Sequence, residues 1–368
     1  MAISSRDKLL KLVSFIILVV SITVLGLGGS CSSPNLQIFF KPDAFSSTNE
    51  TVVPLDSPLL PARGFYMGVM PTPGDGQSFA ASYKEASKVA DFVPVWGSHA
   101  LFYDLAKELS GSWGRTYVTQ YIRQNGMFPI VNLSFFGYDM KLITPPGLSG
   151  ASLEDPKWRQ AYKQAAMDVV RAVKPLYLSL GNEVNLWYEY YGAFTDEPTD
   201  FKNFATLYSE IYQAVKQLSP ATQVFCTFAR EVVIENTEAD LDVLDMFKPE
   251  EMDILVFTSF PYSVQGINKP SDVPDDYYSR ASDYMPGKPF GLTELGWAAS
   301  DEFGGESDQA DFLMRVSTKL TIDQGIDLKL LGWAWLHSID EADAVGLIKR
   351  NGDNRLVHVA WLNLFTKK

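Results

Sequence analysis

The sequence has little of the residue types on which several common kinds of site depend. Only three of its 368 residues are histidine and two are cysteine. The histidines, His99, His337 and His358, are scattered without an H-x-x-x-H spacing, which argues against a catalytic zinc ion. A P-loop and a G-x-S-x-G elbow are both missing, so phosphate cradling and serine-hydrolase chemistry have no support. We expect neither a metal ion nor another cofactor.

Positive charge is also scarce. The chain has 31 Lys and Arg against 44 Asp and Glu, a net charge of -13, without a clustered basic stretch. Binding to a phosphate backbone requires such a cluster, so we expect no nucleic-acid partner. By contrast, hydrophobic residues make up 46% of the chain and aromatic residues 13%, enough for a large core. Trp and Tyr recur near the ends of apolar runs, where flat side chains suit contact with a ligand.

The N-terminus predicts export. It reads "MAISSRDKLLKLVSFIILVVSITVLGLGGSCSSPN", a basic segment, an apolar run from Leu12 and small residues ending at Cys31. The ending resembles a bacterial lipoprotein signal, which implies lipidation of Cys31, although Gly28 stands where an aliphatic residue is usual. A retained helix is the alternative, since about 18 apolar residues just span a bilayer. Either way the bulk of the chain lies outside the cytoplasm on a membrane anchor, and Cys226, in an apolar run, is expected to be a buried thiol.

Short runs rich in β-forming residues alternate with amphipathic segments beyond residue 60, which predicts an α/β protein. Helices are expected over 155–174, 199–219 and 307–325, each with an Asp, Thr or Ser near its start as a cap. Eight such units fit a single (β/α)8 TIM barrel better than an open doubly wound sheet, because no G-x-G-x-x-G follows the first strand. We divide the chain into residues 1–31 (signal), 32–60 (tether and entry segment) and 61–368 (barrel). The predicted strands are 63–71, 89–97, 127–137, 175–183, 223–231, 253–262, 289–297 and 328–337.

Two glutamates end predicted strands. Glu183 closes the fourth, in "PLYLSLGNE", and Glu294 lies near the end of the seventh, in "PFGLTELGW". Reactive groups of a barrel sit at the carboxyl ends of its strands, so both are expected at one mouth. Hydrolysis of a glycosidic bond needs two carboxyl groups on either side of that bond. An anionic Glu294 close to Glu183 would raise the pKa of Glu183 and keep it protonated as an acid.

The motifs "LSLGNEV" and "GLTELGW" resemble the paired signature of glycoside hydrolase clan A, the retaining barrel enzymes. Within the clan, these motifs are similar to those of endo-β-1,3-glucanases and of arabinogalactan endo-β-1,4-galactanases. This resemblance implies that Glu183 is the general acid/base and Glu294 the nucleophile. It also implies that Asn182 donates to a sugar hydroxyl, that Tyr262 hydrogen-bonds the nucleophile and that Trp335 lies under the sugar at the cleavage point.

Three further residues are candidates for substrate binding: Trp96, His99 and Trp297. For each, ordinary loop packing is the competing interpretation. One departure from the clan is that "DFVPVWGSHA", around the second strand, has no Arg to support the nucleophile.

The sequence therefore predicts an exported, endo-acting retaining β-glycosidase that uses two glutamates in a double displacement on a β-glycan. The alternative is a surface lipoprotein that binds carbohydrate on an inactive barrel. A lyase or isomerase of phosphorylated metabolites is disfavoured, because the segments after strands seven and eight are acidic or poor in glycine. The endo preference rests on aromatic loops such as "NLWYEYYGAF", which suggest a cleft for several sugars. The sugar, the linkage, the choice between endo and exo cleavage and the oligomeric state are not encoded in any pattern that we recognise.

Overall fold

The computed structural model describes residues 51–98, 101–191, 199–340 and 342–366, with backbone only at 199 and 200. The predicted signal segment with Cys31, and most of the tether, lie outside these residues. Within this part of the chain, no helix has the length and apolar character needed to cross a membrane.

A parallel barrel forms the centre of the protein. Its sheet order is β5-β4-β3-β2-β1-β11-β10-β9-β6. The strands are β1 Tyr66–Met70, β2 Phe92–Val95, β3 Phe128–Asn132, β4 Tyr177–Ser179, β5 Gln223–Phe225, β6 Thr227–Ala229, β9 Leu255–Ser259, β10 Phe290–Leu295 and β11 Leu328–Trp335. A small hairpin, β7 Glu231–Val232 and β8 Thr237–Glu238, follows β6.

The fifth barrel strand is split in two. Cys226 separates β5, which pairs with β4, from β6, which pairs with β9. Because the two ends of the sheet are halves of one strand, the sheet curls round on itself as a barrel requires. The eight strands predicted from the sequence are confirmed, and Cys226 is a fully buried free thiol.

Both faces of the strands are covered. All residues of β3 and β9 are buried, which explains why the sequence shows little alternation. The helices are Phe79–Ala86, Phe102–Ser110, Ser112–Gly114 continuing as a π-helix Arg115–Ile122, Pro156–Val173, Asn185–Tyr191, Thr199–Leu218, Ser279–Tyr284, Gly305–Met314 continuing as a π-helix Arg315–Lys319, and Leu356–Phe365. Short 3-10 turns cover Arg123–Asn125, Leu241–Met246, Pro249–Glu251, Pro261–Ser263, Pro270–Asp272 and Asp301–Phe303.

Helix ends follow the predictions in part. The side chain of Asp155 accepts from the Lys157 N–H at 2.9 Å, so it caps helix Pro156–Val173 as expected. The helix predicted from Ser307 instead begins at Gly305, after Gly304 in the left-handed region, and Ser307 lies inside it. Its regular part ends at Met314, and the wider π-turns that follow were not predicted.

The entry segment crosses the bottom of the barrel. Val52 N–H donates to the Leu218 carbonyl at 2.7 Å, and Leu55 N–H donates to the Lys174 carbonyl at 2.9 Å. Asp56 adds a bidentate ion pair with Arg123. Leu218 and Lys174 end the helices that lead into the fifth and fourth strands. The segment therefore lies on the face opposite the carboxyl ends of the strands.

Candidate active site

Glu183 is held in a tight turn after β4. The strand ends at Ser179, so Glu183 lies four residues beyond it and adopts φ 49°, in the left-handed region. The turn is fixed to the fifth strand, because Thr227 N–H donates to the Gly181 carbonyl at 2.9 Å and Val184 N–H donates to the Thr227 carbonyl at 3.0 Å. Gly181 is required here, since an added Cβ would meet a Val184 methyl group at 2.3 Å. The Glu183 side chain is 8% exposed.

Helix Asn185–Tyr191, which starts directly after this turn, is anchored by a buried asparagine. The Asn185 side chain donates to the Ala229 carbonyl at 2.8 Å and accepts from the Ala229 N–H at 2.7 Å. These two bonds join the start of the helix to the end of β6. Sequence reasoning did not single out Asn185.

Thr258, in β9, connects the two glutamates. Its hydroxyl donates to Glu183 Oε1 at 2.7 Å, and its Cα is the register partner of Glu294 in the neighbouring β10. Glu294 lies within β10 and is half-buried. The structure thus brings together the two glutamates predicted from the sequence, and it adds Thr258 between them. No motif pointed to Thr258.

The two carboxyl groups affect each other electrostatically. Burial raises the pKa of Glu183, and the hydrogen bond from Thr258 opposes this rise by stabilising the ionised form. Burial and the charge of Glu183 together raise the pKa of Glu294 to about 8. Glu294 therefore keeps its proton to near pH 8. The charge that acts is that of Glu183 on Glu294, the reverse of the expected direction.

Tyr262 does not make its expected contact. Strand six ends at Ser259, and Tyr262 lies in the following turn, 1% exposed and packed against Trp297 and Phe303. Its buried hydroxyl has no hydrogen-bond partner among the described residues, so no bond to Glu294 is formed. The phenol that responds to the charge of Glu294 is Tyr138, in the loop after β3. Partial burial and that charge raise the pKa of Tyr138 above its ordinary value.

Trp335 ends β11 as predicted. It is 3% exposed, and its buried Nε1–H has no acceptor in the described part of the chain. The neighbouring Trp333 is different, since its Nε1–H donates to the Val345 carbonyl at 2.8 Å.

The other predicted contacts divide into three groups. Asn182 and Trp96 are half-buried at the carboxyl ends of the fourth and second strands, where a ligand could reach them. Trp297 is fully buried and donates to the Phe303 carbonyl at 3.0 Å, so the structure places it among packing residues. His99 lies outside the described residues.

A third buried carboxyl group, Glu231, follows β6. It accepts from the Ser259 hydroxyl at 2.8 Å, the Tyr277 hydroxyl at 2.7 Å and the Phe260 N–H at 2.6 Å. Burial raises its pKa to about 7 against these bonds and the nearby charge of Arg230. Residues 230 and 231 together hold the end of strand six, because Arg230 N–H also donates to the Thr258 carbonyl at 2.9 Å.

The Arg230 guanidinium stabilises this cluster. It donates to the Tyr277 carbonyl and to Glu238, and it lies 4.1 Å above the Tyr277 ring centroid. A glutamate at the end of the fifth strand, in "QVFCTFARE", was the signal that could have revealed Glu231. No group of three or more His, Cys, Asp or Glu side chains in the described ranges is arranged to hold a metal ion.

Neither a protein-family model nor a curated protein sequence matches the chain. Solved structures do match its fold. A family 39 glycoside hydrolase from Bacteroides cellulosilyticus WH2 has 14% identity and a TM-score of 0.57, over 82% of this chain and 63% of that one. A GH5_18 from Bifidobacterium longum subsp. infantis has 15% identity and a TM-score of 0.56, over 82% and 79%. A β-glucuronidase from an uncultured Clostridium sp. has 12% identity and a TM-score of 0.53, over 83% and 50%.

The chain spans half the length of the β-glucuronidase and 63% of the family 39 protein. At such low identities the matches show the fold. The predicted resemblance to the clan A barrels is therefore confirmed at the level of fold: this chain is a (β/α)8 barrel of the kind found in solved glycoside hydrolases.

Proposed function

We propose that this protein is an exported, retaining β-glycosidase acting on internal bonds of a β-glycan. The observation that carries the proposal is the pair of coupled carboxyl groups, Glu183 and Glu294, at the carboxyl ends of strands four and seven. Thr258 lies near both, since its hydroxyl donates to Glu183 and its Cα is the register partner of Glu294. Solved structures of the same fold that are glycoside hydrolases support this assignment.

The reaction proceeds in two displacements. The Glu294 carboxylate attacks the anomeric carbon, while Glu183 donates its proton to the glycosidic oxygen as the bond from carbon to oxygen breaks. A covalent glycosyl ester of Glu294 results. Glu183, now ionised, takes a proton from a water molecule, whose oxygen attacks the same carbon and releases Glu294. The sugar leaves with its original anomeric configuration.

Substrate binding has to move one proton. The free site favours protonated Glu294, whereas attack requires Glu294 to be ionised and Glu183 to carry the proton. In the bound sugar, the glycosidic oxygen accepts a hydrogen bond from Glu183, and positive charge develops on the anomeric carbon beside Glu294. Both effects favour protonated Glu183 and ionised Glu294. The proton is then already on the acid when the bond breaks.

Exposed aromatic side chains on the segments that follow strands three and four support action within a chain. Tyr138 is 49% exposed, and Tyr190 and Tyr191 are 67% and 41% exposed on the helix that follows Glu183. The Tyr191 hydroxyl donates to the Met140 carbonyl, which ties that helix to the loop carrying Tyr138. Flat rings on an open surface suit stacking against several sugar units.

The test is hydrolysis of a panel of β-glucans, β-galactans, β-mannans and xylans by the chain from Ser32 onward. We expect reducing ends to appear on one class, and proton NMR of the first product to show the β-anomer. Release of the α-anomer would contradict a double displacement. Binding to a glycan without any hydrolysis would instead favour the carbohydrate-binding lipoprotein.

Activity should decline on the alkaline side of pH 8. Only the singly protonated pair contains both an acid and a nucleophile, and its last proton is lost with a pKa of about 8 in the free protein. We therefore expect kcat/KM to fall as pH rises through about 8, because kcat/KM reports ionisations of the free enzyme. A profile that stays flat to pH 10 would show that the pair is not coupled.

Replacing Thr258 by Val should shift the acid side of this profile. The hydroxyl stabilises ionised Glu183, and hydrogen bonds to charged groups contribute about 1.5–3 kcal/mol. Since about 1.36 kcal/mol corresponds to one pH unit, the acidic limb should move up by about one to two units. Thr258→Ser keeps the hydroxyl and serves as the matched control. Equal profiles for the two variants would contradict the role given to this bond.

A further inference from the structure

A cavity of about 310 Å³ opens at the carboxyl ends of strands one and two, on the same face as the two glutamates. Its walls come from the segments that follow β1 and β2, from the helical stretch that contains Trp113 and Tyr117, and from Ile339 and Arg350 after strand eight. This volume is at the small end of the range for ligand sites, about 300–1,000 Å³. The space therefore suits a small unit of a larger ligand.

The cavity has an aromatic wall. Trp113 and Tyr117 are stacked, with centroids 4.9 Å apart and planes inclined at 23°. Phe79 and Tyr83 meet the Tyr117 ring edge-on, which fixes its orientation. Trp96, predicted from the sequence as a contact residue, also lines the cavity. Rigid aromatic faces of this kind bind the flat apolar faces of ligands.

One hydrogen-bond donor in this wall is unused. The Nε1–H of Trp113 is buried and has no acceptor in the part of the chain that the structure describes. Because this N–H is buried, it does not open onto the cavity, and the wall offers its flat aromatic surface as the contact.

The charged groups at the rim neutralise one another. Arg350 Nε donates to Asp75 at 2.6 Å, and the Arg350 guanidinium also donates to the Ile339 carbonyl. The Gln77 amide is likewise occupied, since it accepts from the Gly74 N–H and donates to Glu85. Arg350, the only Lys or Arg among the described lining residues, is already paired, so the rim does not favour an acidic ligand.

The cavity adjoins the predicted floor of the cleavage point. Met70, which lines it, is the register partner of Trp335 across the β1–β11 pair. Thr72, also in the lining, accepts from the His337 N–H at 2.9 Å, two residues after Trp335. The cavity therefore opens beside the end of strand eight, next to the predicted cleavage point.

We propose that this cavity, built around the stacked Trp113–Tyr117 pair, binds a second, uncharged pyranose unit of the β-glycan and so sets the minimum chain length that is recognised. The inference rests on the proposed function. Aromatic stacking gives affinity, and a rim whose arginine is already paired gives uronic acid units no advantage.

Binding is measured by calorimetry with Glu183→Gln, so that it does not depend on hydrolysis. The probes are β-linked oligosaccharides of glucose, galactose, mannose and xylose with two to six units, and an oligogalacturonate. We expect affinity for the preferred series to rise with length, and Trp113→Leu to weaken the longer members by about tenfold, the equivalent of about 1.4 kcal/mol. Trp113→Phe, which keeps a ring, should lose less.

Thermal unfolding of each variant checks that the fold is intact, and Leu356→Ala, at an exposed position on the last helix, is the surface control. The inference would be overturned if affinity did not rise with oligosaccharide length, or if Trp113→Leu bound the longer members as tightly as its parent. A preference for the oligogalacturonate, or no binding to any probe, would also overturn it. The proposed function is judged separately, by hydrolysis with Glu183 and Glu294 intact. The two ideas therefore fail by different measurements.

Discussion

Replacing Glu294 by Gln should remove hydrolysis and at the same time stabilise the fold at alkaline pH. The variant has no nucleophile, so we expect kcat to fall by at least about 10³-fold. Its stability should rise because the parent has to bury an ionised pair once pH exceeds about 8. Enzymes commonly lose stability at the groups that perform their chemistry.

The sign of the stability effect follows from the direction of the pKa shift. The Glu294 pKa is raised from 4.5 to about 8, so the folded state holds this proton more tightly than the unfolded chain. The resulting stabilisation is complete below pH 4.5 and disappears as pH rises through about 8. At about 1.36 kcal/mol per unit, the shift sets an upper bound near 5 kcal/mol. We expect Glu294→Gln to match the parent near pH 4 and to exceed it by a few kcal/mol at pH 9, in denaturant titrations.

Glu183→Gln distinguishes the two roles. If Glu183 is the acid, its loss should matter little in the first displacement for an aryl glycoside with a good leaving group, which departs without a proton. Glu294→Gln should be inactive on that substrate as well. The exposed Glu235, in the hairpin between β7 and β8, gives the control Glu235→Gln. Full activity of either active-site variant on the natural glycan would contradict the proposed mechanism.

Truncating Glu231 should produce a large loss of stability. Glu231→Ala leaves the Tyr277 hydroxyl and the Phe260 N–H without their acceptor in a buried place, whereas Ser259 can still donate to the Tyr278 hydroxyl. Each orphaned group costs about 1–3 kcal/mol, so we expect the free energy of unfolding to fall by at least about 2 kcal/mol. Denaturant unfolding at pH 7 measures this difference.

The matched control is Glu235→Ala, four residues away in the same hairpin and exposed. We expect it to change the free energy of unfolding by no more than about 0.5 kcal/mol. Glu231→Gln keeps one acceptor oxygen and should fall between the two. Similar stabilities for Glu231→Ala and Glu235→Ala would show that the cluster does not hold the end of strand six.

The barrel could be predicted from the sequence because each of its strands and helices produces a local hydrophobic pattern. Runs such as "MFPIVNLSFFG" and "DILVFTSFPY" are apolar on both faces, which only a covered parallel sheet accommodates. Capped amphipathic segments between them, such as the one that starts at Asp155, set the alternation of strands and helices. The positions of Glu183 and Glu294 followed from this alternation of strands and helices, since the carboxyl ends of all barrel strands lie on one face.

The errors came from features that no local pattern carries. Trp297 and Tyr262 have the composition of cleft residues, but they pack against each other and Phe303 beneath the surface. Whether an aromatic residue contacts a ligand or the core depends on the segments that cover it, and these come from distant parts of the chain. The same holds for the helix cap predicted at Ser307: the helix begins at Gly305, after Gly304 in the left-handed region.

The sequence by itself determined the repeating strand and helix units, and with them the one face on which two glutamates must lie. Only the tertiary structure decided which groups surround those glutamates. Thr258 is 75 residues from Glu183, and the Trp113 cavity joins segments that follow strands one, two and eight. The reason is physical: hydrophobic periodicity records which faces are buried, whereas a carboxyl pKa and the shape of a cavity depend on side chains brought together only when the barrel closes.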